Sequence, residues 1–263
     1  MPAATASTVG RDRPTTATGI PSTANRNATD RPIPGPAPST TAPAMSETVW
    51  PHTSGRVNGV RSRTAHGYAT GMTGKLDGKR IAILATDGVE QVELTEPRDA
   101  VTREGARTEI VSLAEGEIQA MNGDIDPADR FPVDRTAAQA DAADYDGVIM
   151  PGGTVNADRL RMDPHVRDFV RAAFRAGTPV GVICHGPWTL VEADLVRGRT
   201  LTSFPSLRTD IRNAGGTVVD EEVVTDNGLV SSRNPDDLPA FCAKIVEEFA
   251  EGVHRVHREG ATV

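Results

Sequence analysis

Cys184 and His185 stand side by side where an apolar run ends, in the stretch Val180-Gly-Val-Ile-Cys-His-Gly-Pro187. A thiol beside an imidazole is raw material for nucleophilic catalysis, because the thiolate attacks and the imidazole can take its proton. Gly186 and Pro187 follow at once, and Trp188, Leu190 and Val191 open a new segment. The pattern reads as buried strand, tight turn and helix, with Pro187 at the first helical position, where a missing N–H does little harm. A residue in such a turn is pushed out of the sheet and meets the free N–H groups and positive end of the next helix. A Cys184 thiol held there is expected to ionise readily. His185 is a candidate general base or oxyanion-side donor, although neighbouring residues on a turn usually point apart.

Three other places could serve that thiol. Glu90 lies just past the apolar strand Arg80-Ile-Ala-Ile-Leu-Ala-Thr86, at the strand end where α/β sheets gather catalytic groups. Its pattern supports two readings equally. Asp87-x-x-Glu90 fits a capping box, and Glu90 also fits a partly buried carboxyl with a raised pKa that hydrogen-bonds the thiolate. Gly152-Gly153 ends another strand, where glycines either let backbone N–H groups approach an oxyanion or simply make a turn. Asp158 follows in a loop and is a surface charge by default. Cys242 falls on the apolar stripe of the last helix and reads as core. His254 and His257, without a thiol or acidic partner nearby in sequence, read as solvated residues rather than metal ligands.

The elements that must position these residues alternate strand and helix from Lys79 onward. Glu90–Glu104 reads as helical, kinked or restarted at Pro97 and closed by Gly105, and Thr108–Leu113 as a strand. Residues Glu115–Ala143 suggest a small hairpin around Met121-Asn-Gly123. Tyr145–Met150 is a strand, and Asp163-Pro164 starts a helix whose Val166, Phe169, Val170, Ala173 and Phe174 share a face. Ser206 is expected to cap a helix to Asn213. Asp226-Asn227-Gly228 marks a hairpin, and Asn234-Pro235 starts the last helix. This alternation predicts a single α/β domain over 75–252, with a mainly parallel doubly wound sheet and helices on both faces.

Residues 1–74 have a different texture, holding nine of the nineteen prolines and few Val, Ile or Leu. Such a segment cannot bury enough apolar surface to offset its ordering entropy, so it reads as a disordered tail. Met72, shortly before the first strand, and Met45 are alternative starts. Residues 253–263 read as a flexible C-terminal tail. The tail residues 1–74 carry seven basic and three acidic side chains, against 21 and 33 in the rest. An acidic body argues against nucleic acid as partner. No apolar run approaches a membrane span, and two cysteines make no disulfide framework, which points to the cytoplasm.

Taken together, Asp87-Gly-Val-Glu-Gln-Val-Glu93, Val148-Ile-Met-Pro-Gly-Gly153, Ile183-Cys-His-Gly-Pro187, Arg197-Gly-Arg199 and Ser231-Ser-Arg-Asn-Pro-Asp-Asp237 resemble the PfpI family. That family belongs to the wider superfamily of Parkinsonism-associated deglycase and class I glutamine amidotransferase-like proteins, and the resemblance runs from about Lys79 to Glu251. It implies a flavodoxin-like fold, a nucleophile at Cys184, and Glu90 as its carboxyl partner. It also implies oxyanion-hole positions at Gly153 and His185. In several members a neighbouring subunit's acid completes the site. Asp158 is the nearest match, through a one-residue shift and with Asp in place of Glu, and that arrangement requires a homo-oligomer, a dimer or a hexamer of dimers. No cofactor and no metal are implied. The distal His-x-Glu of the amidotransferases is not visible, which argues against glutamine hydrolysis. Members have been assigned peptidase, glyoxalase III and protein deglycase activities. Small aldehydes and glycated proteins rank first as substrates here, peptides second, and a redox-responsive chaperone is the non-enzymatic rival.

Overall fold

The computed structural model describes residues 74–254, and the expected disordered tail lies outside the described residues. In chain order the first half forms β1 (Arg80–Leu84), β2 (Val89–Glu90), α1 (Gln91–Arg103), β3 (Arg107–Ser112), β4 (Glu117–Asn122), β5 (Asp126–Pro132) and β6 (Arg135–Thr136). Next come β7 (Gly147–Met150), α2 (Thr154–Met162), α3 (Pro164–Ala176), β8 (Val180–Ile183) and α4 (Pro187–Glu192). The chain then forms β9 (Thr200–Leu201), α5 (Arg208–Asn213), β10 (Thr217–Val218), β11 (Val223–Asp226), β12 (Leu229–Ser232) and α6 (Leu238–Glu251).

Seven strands make one sheet in the order β11-β12-β8-β7-β1-β3-β6, and only β11 is antiparallel to its neighbour. The five central strands β3-β1-β7-β8-β12 follow the flavodoxin-like 2-1-3-4-5 order, which reverses direction between β1 and β7. Ligand sites in such sheets open at the carboxyl ends of the strands beside that reversal. Both faces are buried, as a parallel sheet requires. Along β1, Ile81 and Ile83 face α1 and α6, while Ala82 and Leu84 face the layer built from α2 to α5.

Local chemistry explains the elements that matter for the site. Asp163 caps α3 by accepting from His165 N and Val166 N, and Gly177 closes it in the left-handed conformation. Asn227 and Gly228 both have positive φ, as a type I′ hairpin turn needs. The expected small hairpin is β4 paired with β5, with its tip at Asn122–Ile125.

Three local expectations are corrected. Asp158 lies on α2, not in a loop, because Gly153 (φ 87°) turns the chain straight into that helix. Ser206 caps nothing; it lies in a 3₁₀ turn before α5. Residue 254 is not free: His254 N donates to Gly177 O, and His254 Nε2 stands 3.1 Å from the buried Glu248 Oε2. His257 lies outside the described residues.

The α6 layer packs on glycine. A Cβ at Gly181 in β8 would stand 2.6 Å from Ile245 Cγ2 and 3.2 Å from the Phe241 ring. Gly181→Ala should therefore lower stability by about 1–3 kcal/mol, the usual cost of overpacking, in urea denaturation. An unchanged midpoint would mean that α6 can shift away freely.

Candidate active site

The turn after β8 holds Cys184 in the left-handed region, at φ 60°, where non-glycine residues are uncommon and strained. The strain is held from both sides. Cys184 N donates to Ser232 O at 3.1 Å, and Cys184 O accepts from Phe204 N at 3.0 Å. Gly186 has no space for a side chain, since a Cβ there would lie 2.7 Å from Met150 O and Val182 Cγ2. Pro187 then starts α4, as its position in the sequence suggested.

The His185 side chain does not point away from its neighbour. Its Nδ1 lies 3.2 Å from Cys184 Sγ, because the ring is stacked on Phe204 at 4.6 Å and held edge-on by Trp188 at 5.4 Å. The backbone N–H groups of Gly153 and His185 lie near enough to the same sulfur to draw its pKa down. Gly153 is a glycine of necessity, since a Cβ would collide with Gly88 O.

The carboxyl beside the thiol is Glu93, not Glu90. Glu93 is fully buried in the first turn of α1, its Oε2 accepts from Gly152 N at 2.8 Å, its Oε1 has no hydrogen-bond partner, and its carboxyl lies beside Cys184 across Gly152. Gly152 is what lets them meet, for a Cβ there would stand 2.5 Å from Glu93 Oε2 and 2.6 Å from Cys184 Cβ. Glu90, at the N-cap of α1, makes no capping hydrogen bond. Its Oε2 instead accepts from Asp124 N at 3.3 Å, in the β4–β5 turn. The capping box is absent because Asp87 is used elsewhere, accepting from Gln119 N and Arg159.

Sequence reasoning overlooked Glu93 although a signal was present. It falls in the same buried stripe of α1 as Leu94, Pro97, Ala100 and Val101, a place where a carboxylate has no ordinary reason to be. Asp124 and Thr154 were also overlooked. Asp124 Oδ1 and Oδ2 accept from Thr154 N (2.7 Å) and Thr154 Oγ1 (2.8 Å), and that hydroxyl lies 3.5 Å from His185 Nε2. Ser206 Oγ stands 3.3 Å from the same nitrogen. Asp158 is exposed on α2 and is not brought to the thiol within this chain. Metal-type donors do gather at Glu248, Glu251 and His254, but beside Gly177, before β8 begins. Cys184 follows the other end of that strand.

Protonation follows from burial. Removal from water lifts Glu93 to about 8, only partly opposed by the Gly152 N–H and the thiol, so its carboxyl is largely protonated at neutral pH. Burial, and then the charge that Glu93 carries once ionised, push the Cys184 thiol up as well, against the pull of the Gly153 and His185 amides. The expectation of a readily ionised resting thiol is therefore corrected: the turn supplies the amides, but desolvation outweighs them. Burial lowers His185, with the Asp124 charge acting the other way, so the ring is neutral and able to accept a proton.

These directions fix a sign. Glu93 loses its proton as pH rises through about 8, placing a negative charge beside the sulfur just where a thiol begins to ionise. In a Cys242→Ser background, alkylation of Cys184 by iodoacetamide between pH 7 and 9 should rise by less than the ~10-fold per pH unit expected of an uncoupled thiol whose pKa lies above that range. Glu93→Gln should restore the steeper slope. Identical slopes would show that Glu93 does not titrate against the thiol.

Among the described residues no helix is long and apolar enough to cross a membrane. Residues 79–248 match the family model described as the DJ-1/PfpI family. The uncharacterized protein SH1084 of Staphylococcus haemolyticus is 39% identical over 173 residues, covering 65% of this chain and 97% of that protein. YraA of Bacillus subtilis, by name a candidate cysteine protease, is 37% identical over 164 residues, covering 62% of this chain and 94% of its own. A solved two-domain Anabaena variabilis protein with DJ-1/ThiJ/PfpI-like and ferritin-like domains superposes with a TM-score of 0.61 at 32% identity. That match covers 64% of this chain and 47% of the two-domain chain, less than half of it. With the sheet order, the Cys184 turn and the family match over most of the described residues, the chain belongs to the DJ-1/PfpI family.

Proposed function

We propose that this chain is a thiol-dependent enzyme that acts on small reactive carbonyls, such as glyoxal, methylglyoxal and their adducts on proteins. The observation that carries this reading is convergence on one sulfur. His185 Nδ1 at 3.2 Å, the Gly153 and His185 amides and the Glu93 carboxyl all lie near Cys184 Sγ. A base, two oxyanion donors and an acid around one thiol are what addition to a carbonyl requires.

In the first step the Cys184 proton passes to His185 Nδ1, the sulfur bonds to the carbonyl carbon, and the carbonyl electron pair moves onto oxygen. The Gly153 and His185 amides stabilise that oxygen. With a 2-oxoaldehyde, the former aldehyde carbon then gives up its hydrogen as a proton, and the neighbouring carbonyl carbon gains one. One carbon is oxidised as the other is reduced, so no outside oxidant is needed. Water cleaves the resulting thioester, releasing a 2-hydroxy acid and the thiol. Glu93, with a pKa of about 8, and neutral His185 can both take and return protons near neutrality.

Substrate size is supported by access. Cys184 and His185 are each 6% exposed, an opening that suits a two- or three-carbon aldehyde better than an extended peptide. The name of the Bacillus relative supports the second reading, an intracellular cysteine peptidase. Oligomeric assembly, expected from the family resemblance, is part of this proposal.

D-lactate formation from methylglyoxal tests the reading. Cys184→Ala should reduce it to background, and His185→Ala should lower it by about 100-fold or more, the usual contribution of a general base. Equal rates for wild type and Cys184→Ala would remove the carbonyl reading. Cleavage of casein that depends on Cys184, without lactate, would favour the peptidase. Peroxide-dependent holdase activity without any turnover would favour the redox chaperone.

A further inference from the structure

A base at Nδ1 works only if that nitrogen is bare, so the tautomer of His185 decides whether the pair can react. The atoms that determine it lie behind the ring. Thr154 Oγ1 donates to Asp124 Oδ2 at 2.8 Å. A hydroxyl has one hydrogen, and here the carboxylate takes it. Only lone pairs then remain on that oxygen to face His185 Nε2 at 3.5 Å, which favours the tautomer with the proton on that nitrogen. Ser206 Oγ, 3.3 Å from Nε2, can accept from it as well. In that tautomer Nδ1 is left without a proton, facing the sulfur.

We propose that Asp124, acting through the Thr154 hydroxyl, positions His185 and fixes its proton on Nε2, so that the acid serving this site comes from the same chain. The proposal rests on the reading of Cys184 and His185 as nucleophile and base. Asp124 is a positioning residue here. It touches neither the sulfur nor the space beside it, and its charge favours the imidazolium formed when Cys184 gives up its proton. The 3.5 Å contact is long for a hydrogen bond and is of the kind that tightens when substrate binds.

Glu90 finds its place in the same chain of contacts. Its Oε2 accepts from Asp124 N and so ties down the β4–β5 turn, where Gly123 and Asp124 both have positive φ. The residue expected to serve the thiol directly instead holds the loop that serves the histidine.

A simpler role for Asp124 exists. Its Oδ1 accepts from Thr154 N, which makes it a cap for α2, whose own N-cap residue Gly153 has no side chain to offer. A cap alone would change stability and leave the imidazole as it was. The groups around His185 are the Cys184 sulfur, the Thr154 and Ser206 hydroxyls, and the Phe204 and Trp188 rings. Among the described residues, the charge that acts on the ring is that of Asp124.

The test uses the full chain labelled with ¹⁵N-histidine, with His185 assigned by loss of its signals in His185→Gln. Long-range ¹H–¹⁵N correlation spectra should show the Nε2–H tautomer in wild type. Asp124→Asn and Thr154→Val should mix the tautomers and lower the His185 titration midpoint, while Thr154→Ser, which keeps the hydroxyl, should resemble wild type. Methylglyoxal turnover should fall about tenfold in kcat, with little change in KM, in the first two variants and recover in the third. That loss is smaller than the roughly 10⁴-fold seen when a directly bonded triad acid is removed, because a hydroxyl intervenes.

An Nδ1–H tautomer in wild type would overturn the proposal. So would an unaltered tautomer and titration in Asp124→Asn, even with a lower Tm, and Thr154→Val decides the matter if Asp124→Asn does not fold. If the spectra behave as expected but wild type turns over no carbonyl, the relay stands and the substrate reading falls. If turnover is present and the spectra ignore both variants, the reverse holds.

Discussion

The contact between a buried carboxyl and a buried thiol, Glu93 against Cys184, is the constraint that the rest of the site is built around. Neither group would choose this place alone. A carboxyl removed from water loses solvation that one hydrogen bond from Gly152 N cannot replace, and a thiol on a left-handed residue carries backbone strain. The fold holds them together because β8 ends beside β7, so that Gly152-Gly153 and the Cys184 turn meet edge to edge. The glycine at 152 removes the one side chain that would keep them apart.

Electrostatics then set the division of roles. Keeping Glu93 protonated avoids a second negative charge beside a sulfur that must become negative. The price is a resting thiol that stays protonated, which makes a separate base necessary, and the neutral His185 ring lies at hydrogen-bond distance from the sulfur. Opposing shifts on adjacent titratable groups are how one site runs acid and base steps at the same pH. The field is shaped by residues from four parts of the chain: α1 gives Glu93, the β4–β5 turn gives Asp124, the start of α2 gives Thr154, and the turn after β8 gives Cys184 and His185.

Much of the scaffold was legible in the sequence because local chemistry and fold agree there. Asp163-Pro164 and Gly177 bracket α3 as helix signals do, Asp226-Asn227-Gly228 makes its hairpin, and the Cys184 strand-turn-helix is where its punctuation put it. The site was legible only in part. Choosing between Glu90 and Glu93 depends on which face of α1 meets the sheet, and a three-residue step moves a side chain from the helix cap to its buried stripe. The His185 ring position depends on Phe204, nineteen residues on, which no turn rule includes. Asp124 reaches Thr154 across thirty residues of chain, so its part had no local signal at all. Desolvation of the thiol was missed for a similar reason: a turn at a helix start suggests easy ionisation, and only the packed structure shows how little water reaches it.

The most direct test of the central contact is the titration of Glu93 itself, followed through its ¹³Cδ chemical shift in the full chain. A midpoint near 8 that moves when Cys184 is changed to Ser would establish a protonated carboxyl coupled to the sulfur. A midpoint near 4.5, the ordinary value, would mean an ionised carboxylate beside Cys184 at neutral pH and would contradict the arrangement described for this site.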